Sequence, residues 1–312
     1  MAAALSARGV SKGDRVLVLA RNCNQLFESM FVCFRLGAIW VPTNFRLTAD
    51  EVAYLARVSG ATAMICGREF PEHARGATGS APSINLVVSI GASPFGDDYE
   101  TIVGEHQGRV APDTAVEHDD PCWFFFTSGT TGRPKAAVLT HGQMGFVVTN
   151  HLCDLMPGTT HHDVSLAVAP LSHGAGIHAL AQVARGAKTV LSGDRFDAEE
   201  TWRLIERWRV TNIFTVPTIL KMLAEHPAAD KYNRASLRYV IYAGAPMYRE
   251  DQKRALKKLG KVLVQYFGLG EVTGNITVLP PDLHEPDDGP EVKIGTCGYA
   301  RTGMQKIGRA HV

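Results

Sequence analysis

The densest chemistry in the sequence lies in nine consecutive residues, Thr127-Ser128-Gly129-Thr130-Thr131-Gly132-Arg133-Pro134-Lys135. Before them stands a short apolar run, 122–126, and after them another, 136–139. Both read as buried strands too short to span a membrane. A connection between two such strands has no local need for four hydroxyls, two glycines and a lysine. Gly129 and Gly132 open backbone conformations closed to other residues and let the chain approach a ligand closely. The N–H groups of such a loop form a nest for an anion, the hydroxyls add donors, and Lys135 adds a mobile charge. This is a composition for phosphate. It is not the G-x-x-x-x-G-K-[ST] loop, because neither the spacing nor a strand-to-helix context fits.

Three more groups of unusual residues stand where predicted strands end. His173 follows strand 164–169 within Pro170-Leu171-Ser172-His173-Gly174, and Gly244-Ala245-Pro246 follows strand 237–242. Phe267-Gly268-Leu269-Gly270-Glu271 follows strand 262–266. In an open parallel sheet ligands bind beyond the carboxyl ends of the strands. One nucleotide site is therefore expected, a cleft lined by Lys135, His173, Gly244 and Glu271. His161-His162 lacks acidic or cysteine partners at ligand spacing and reads as a loop, not a metal site.

The elements that must position these residues follow from periodicity and capping. A helix over 2–8 ends at Gly9, strand 16–20 precedes a helix over 26–36 with Asn22 or Asn24 as its cap, and Gly37 stops it. Thr48 and Glu51 form a capping-box pattern that opens a helix to about residue 58, before strand 61–66. This start reads as β-α-α-β. Residues 71–121 are rich in Gly, Ala, Pro and Asp and read as long connecting loops broken only by strand 85–90. Helices over 141–155, 177–184, 197–209, 219–225 and 248–259 then alternate with strands 164–169, 188–191, 212–216, 237–242 and 262–266. That alternation argues parallel β-α-β units. Trp202, Ile205 and Trp208 share one helix face and read as core. No internal repeat is visible.

Bulk properties exclude several classes. At 312 residues and 45% hydrophobic the chain can bury a large core, as two domains or one large α/β unit. A net charge of +1 offers no basic stripe for nucleic acid and no acidic tail. Cys23, Cys33, Cys66, Cys122, Cys153 and Cys297 are scattered without C-x-x-C spacing, which suits reduced thiols better than a disulfide or zinc framework. The first residues lack a signal-peptide core, and no segment reads as transmembrane. A cytoplasmic protein is expected.

Residues 127–135 resemble the signature loop of the adenylate-forming superfamily: acyl-CoA synthetases, luciferases and the adenylation domains of peptide synthetases. The departure is Ala136, where members usually carry Gly. Residues 37–42 are similar to that family's G-A-x-x-x-P stretch, 244–246 to its G-A-P turn, 267–271 to its Y-G-x-T-E string and 295–298 to its G-x-x-G segment. The resemblance implies an α/β fold of two packed β-α subdomains with mainly parallel sheets, the family's large domain, truncated at both ends. Residues 1–306 would be its partial large domain, with 1–120 the N-terminal β-α region and connecting loops and 121–306 the nucleotide-binding region. Residues 307–312 can be encoded by a sequencing adapter and are expected to be a non-native tail. The C-terminal small domain would be absent.

The resemblance also implies ATP and Mg²⁺ as cofactors, coenzyme A as co-substrate and a carboxylic acid, fatty or otherwise acyl, as substrate. Lys135 and His173 are the implied catalytic residues, His173 lying beside the α-phosphate. Thr127, Ser128, Gly129, Thr130, Thr131, Gly132 and Lys135 would hold the β- and γ-phosphates. Gly244, Ala245 and Pro246 would form the adenine turn, Phe267 would stack on the base, and Gly268 and Gly270 would complete the site. Gly270 replaces a phosphate-contacting Thr of the family, and Thr273 is the nearby hydroxyl. Glu271 would bind Mg²⁺, as suits a hard oxygen ligand. The implied activity is an AMP-forming acid–thiol ligase, an acyl-CoA synthetase. The alternatives are an adenylation domain of a peptide synthetase or a non-catalytic nucleotide- or acyl-binding module. The family's ribose aspartate and C-terminal lysine have no counterpart in this sequence, so the chain alone is expected not to complete the reaction.

Overall fold

The alternation of short apolar runs with amphipathic stretches folds into two seven-stranded sheets, one in each of two units of the chain. The computed structural model describes residues 1–127, 132–193, 195–274 and 276–305. One unit comprises Met1–Met144 with Pro170–His173, the other Gly145–Ala169 with Gly174–Val312.

The first unit runs α1 (Ala2–Ala7), β1 (Arg15–Leu19), α2 (Asn24–Leu36), β2 (Ile39–Pro42), α3 (Ala49–Ser59) and β3 (Ala63–Gly67). It continues with α4 (Pro71–Ser80), β4 (Leu86–Ile90), β5 (Asp97–Asp98), α5 (Tyr99–Glu105), β6 (Pro121–Thr127) and β7 (Lys135–Thr140). The sheet order is β5-β4-β3-β1-β2-β6-β7, parallel throughout except for the antiparallel pair β6–β7. The predicted capping box is formed: Thr48 N donates to Glu51 Oε2 at 2.7 Å and Glu51 N to Thr48 Oγ1 at 3.3 Å. Gly37 ends α2 at φ 61°, a left-handed conformation that favours glycine.

Three expectations are corrected here. The cap of α2 is Cys23, not Asn22 or Asn24; its Sγ accepts from Leu26 N at 3.4 Å. The run 39–42 is a fully buried strand, so the start is β-α-β-α-β rather than β-α-α-β. Residues 71–121 are not all loop. Pro71 opens α4, where proline's missing N–H costs nothing, and Asp98 caps α5 by accepting from Thr101 N at 3.0 Å. Gly76 hid α4 in the sequence, yet the helix packs on α3 through buried Ala74 and Ala77.

Helix α6 (His141–Asp154) carries the chain into the second unit. There follow β8 (Val164–Ala167), α7 (Gly174–Ala184), β9 (Lys188–Leu191), α8 (Ala198–Trp208), β10 (Asn212–Thr215), α9 (Pro217–Glu225) and α10 (Ala228–Lys231). Then come β11 (Tyr239–Tyr242), α11 (Arg249–Leu259), β12 (Leu263–Phe267), β13 (Thr277–Leu279) and β14 (Tyr299–Ala300). The order is β14-β13-β12-β11-β10-β8-β9. Strands β8 to β12 are parallel as expected, whereas β13 and β14 add an antiparallel edge that periodicity did not reveal. Strands of two or three residues carry no period to read.

Trp202 and Ile205 of α8 are buried, but Trp208 is 36% exposed, with Lys188 Nζ 4.8 Å from its ring centre. It belongs to the surface rather than the core. All six cysteines are free thiols, and burial pushes the Cys66 and Cys122 thiols up to about 12. Among the described residues no helix is long and apolar enough to cross a membrane.

Candidate functional site

In the first unit, β6 and β7 form a hairpin whose last paired residues are Thr127 and Lys135. The predicted phosphate loop therefore joins two strands, as expected, and Ser128, Gly129, Thr130 and Thr131 lie outside the described residues. Gly132 adopts φ 82°, and Lys135 is exposed where β7 begins. Tyr54 of α3, not marked by any sequence pattern, steadies the returning arm. Its hydroxyl donates to Pro134 O at 3.4 Å, and the Arg133 guanidinium lies 5.9 Å from its ring.

His173 sits in the turn between β8 and α7 and belongs to this first unit. Its ring packs edge-on against Phe125 of β6, with centroids 4.7 Å apart. The turn is pinned by Leu171 N donating to Asn22 Oδ1 at 2.9 Å, a role for Asn22 other than the cap expected of it. His173 is exposed by area, yet protein crowds the imidazole, and this desolvation lowers its pKa. At neutral pH the ring is held uncharged, able to donate or accept beside a phosphate without adding a fixed cation.

In the second unit the predicted residues share the carboxyl-terminal edge of adjacent parallel strands β11 and β12. Gly244 has φ 86°, which a side chain would oppose, and Gly244, Ala245 and Pro246 are all exposed. Phe267 ends β12 with 47% of its surface exposed while its neighbour Tyr266 is buried, as strand alternation requires. A flat, exposed aromatic at a strand end is a stacking platform. Gly268 is required by close approach, since a Cβ there would fall 2.1 Å from the Gly274 backbone.

The following 3-10 turn, Gly270–Val272, presents Glu271 at the surface. Thr273, the hydroxyl expected to stand in for the family's Thr, is only 5% exposed and donates to Val272 O at 2.7 Å. It is turned into the fold. Among the described residues no three His, Cys, Asp or Glu side chains converge on a common point. The exposed Glu271 carboxylate nevertheless suits Mg²⁺, which keeps waters and binds through one or two carboxylates plus phosphate oxygens. The His161 and His162 rings lie 3.8 Å apart, tilted by 44°.

Residues 1–306 match the family described as AMP-binding enzyme. The chain belongs to that family. A feruloyl-CoA synthase of Amycolatopsis sp is 34% identical over 281 residues, covering 89% of this chain and 54% of the relative. A fatty acid–[acyl-carrier-protein] ligase, ScoC, of Streptomyces coeruleorubidus is 30% identical over 294 residues, covering 92% and 54%. The N-terminal domain of FACL13 from Mycobacterium tuberculosis, solved with an inhibitor, superposes with a TM-score of 0.82 at 28% identity, covering 96% of this chain and 72% of that one. The chain thus spans about half the length of the curated relatives it matches. These AMP-binding relatives include acid–thiol ligases, and the two mainly parallel sheets are those of adenylate-forming N-terminal domains.

Proposed function

We propose that this chain is part of an AMP-forming acid–thiol ligase of the cytoplasm. A carboxylate oxygen attacks the α-phosphorus of ATP, giving an acyl-adenylate and pyrophosphate; a thiol then attacks the acyl carbon, giving the thioester and AMP. The observation that carries this reading is the edge of β11 and β12. An exposed Gly-Ala-Pro turn, an exposed aromatic and an exposed carboxylate stand side by side there in the family's order.

In this reading Phe267 stacks on adenine, Gly244, Ala245 and Pro246 lie along the base, and Gly268 and Gly270 let the backbone pass close to the nucleotide. Residues 127–132 and Lys135 hold the β- and γ-phosphates, supplying charge to an outgoing pyrophosphate. His173 donates a hydrogen bond beside the α-phosphate. Glu271 holds Mg²⁺, which when bound offsets phosphate charge. No protein nucleophile is needed, because positioning and charge neutralisation suffice for an in-line displacement. Coenzyme A is the thiol proposed, and the carrier-protein ligase among the relatives makes a carrier thiol the specific second reading.

The test is ATP–pyrophosphate exchange by the full-length protein across a panel of aryl and fatty acids, followed by thioester formation with coenzyme A and with a carrier protein. Exchange that depends on an added acid supports the reading. ATP binding without exchange for any acid would leave only a nucleotide-binding module.

A further inference from the structure

Beneath the edge of β11 and β12, one tyrosine hydroxyl is bonded on three sides. Tyr242 is the last residue of β11 and is 0% exposed. Its hydroxyl accepts from Gln252 Nε2 of α11 at 3.0 Å. It also lies 3.1 Å from Gln265 Oε1 of β12 and 3.1 Å from Nε2 of His284, in the segment after β13. Burying a hydroxyl is costly unless it is bonded, and phenylalanine would fill the same space without that cost. What the hydroxyl adds is connection, since one atom joins three other segments to β11.

Its partners are themselves oriented. Gln252 Oε1 accepts from Arg249 Nη1 at 2.7 Å, which turns the amide nitrogen toward Tyr242. His284 Nδ1 stands 2.9 Å from Pro280 O, and a carbonyl only accepts, so that nitrogen carries a proton. Burial lowers the pKa of His284, so at neutral pH the ring is uncharged and Nε2 is left as an acceptor. The single hydroxyl proton of Tyr242 thus serves two acceptors at equal distance. Arg249 also holds the chain beyond His284, donating to Glu285 O at 2.8 Å, Asp287 O at 2.9 Å and Asp288 Oδ1 at 2.8 Å. Lys253 reaches Asp288 as well, at 2.8 Å. The end of β11, the start of α11, β12 and residues 280–288 are bonded as one piece.

Register relates this piece to the proposed base site. Tyr242 and Gln265 are direct partners across the parallel pair β11–β12, so their side chains rise from the same face of the sheet. Phe267 is two residues beyond Gln265 and shares that face, about 6.6 Å further along the strand. Gly244 is two residues beyond Tyr242, where β11 gives way to the exposed Gly-Ala-Pro turn. Tyr242 and Gln265 are also the last partners of their ladder, so the side-chain bond closes it just where the two site segments begin.

We propose that Tyr242 is a positioning residue: through Gln265, Gln252 and His284 its hydroxyl fixes the separation between turn 244–246 and the Phe267 ring, and so the fit of a purine base between them. The inference rests on the ligase reading for the identity of the nucleotide. Tyr242 acts through the two strand ends, because a stacking platform works only when its distance from the opposing surface is held.

Calorimetric binding of AMP to the full-length protein reads the base site without turnover, and ATP–pyrophosphate exchange reads the reaction. Tyr242→Phe removes only the hydroxyl. It should weaken AMP binding about fivefold and raise the KM for ATP by a similar factor, the scale of one hydrogen bond. The kcat and the KM for the acid should change less than about twofold. Phe267→Ala should weaken AMP binding by itself, and adding Tyr242→Phe to it should change the affinity less than about twofold further, since groups acting through one another do not add. A general loosening of the fold would instead shift every parameter and add to Phe267→Ala. If Tyr242→Phe does not fold, as circular dichroism checks, Gln252→Met on the partly exposed α11 carries the same test with a loss of about threefold.

Unchanged AMP affinity in the folded variant, or a loss that adds fully to Phe267→Ala, overturns the positioning role and leaves the ligase reading. Weakened AMP binding in variants of a protein that shows no exchange with any acid keeps the positioning role and overturns the ligase reading. No AMP binding by the unaltered protein overturns both.

Discussion

The two units share a strand order. In the first, β4-β3-β1-β2 stand side by side; in the second, β11-β10-β8-β9 do, so each sheet begins with a strand flanked by its second and third. What they bury differs. Among the described residues the first unit buries four polar side chains, Ser29, Thr43, Ser59 and Ser89, all hydroxyls bonded to nearby carbonyls. The second buries fourteen, including Asn150, His151, His178, Gln182, Asn212, His284 and Arg301. Hydroxyls that bond locally leave the core apolar, whereas amides, imidazoles and a guanidinium demand partners from several elements at once. The first unit therefore packs an almost wholly apolar core behind its β6–β7 hairpin, and the second ties several elements together through a buried polar network.

The largest expected effect would sharpen the apolar half of this contrast. Trp40 is 1% exposed, meets Trp123 edge to face at 4.5 Å and donates through Nε1 to Ser29 Oγ at 2.9 Å. Trp40→Ala should cost about 3–5 kcal/mol of unfolding free energy in urea denaturation. A loss under about 1 kcal/mol would mean this core is not tightly packed.

Next comes an effect on turnover with little on folding. In the full-length protein, Glu271→Gln should lower acid-dependent pyrophosphate exchange about 10²–10³-fold, because the isostere keeps the turn but removes the metal's charge partner. Unchanged exchange, measured beside an unchanged melting temperature, would remove Glu271 from the site.

Acid should then separate the units. Burial holds His178 at about 4, against an ordinary 6.5, and moves His151 in the same direction. A histidine whose folded pKa is depressed stabilises the fold fully above its unfolded pKa and loses that contribution as pH falls toward the folded value. For His178 alone the loss between pH 6.5 and 4 is on the order of 3 kcal/mol. Hydrogen-exchange mass spectrometry through that window should show the sheet of β8 to β12 opening before that of β1 to β4. Simultaneous opening would break the contrast.

The smallest effect concerns a single helix end. Thr48→Ala removes the capping hydroxyl of α3 and should cost about 1 kcal/mol by denaturation, without changing exchange activity. Any marked loss of exchange would show that α3, whose Tyr54 meets the hairpin at Pro134, does more than support it.

Local physics made part of this protein legible from its sequence. Capping hydroxyls, left-handed glycines and apolar runs act within a few residues, so the Thr48 box, the stop at Gly37, the hairpin ends at Thr127 and Lys135 and most strands of the second sheet could be read directly. The rest depended on what each residue meets far along the chain. Helix α4, weak in propensity, is held by Ala74 and Ala77, which pack into the core beside Val52, Leu55 and Ala56 of α3. Trp208 shares the spacing of a core residue yet faces solvent, because periodicity names a face but not its neighbour. The common strand order of the two units leaves no repeat in the residues, since hydrogen bonding between strands constrains the backbone and not the side chains. Arg301 lies 150 residues from His151 in the chain, and only the sheet and the helices packed on it bring the two within 3.2 Å. No spacing rule reaches that far, because the contact is fixed by tertiary packing and not by the local geometry of the chain.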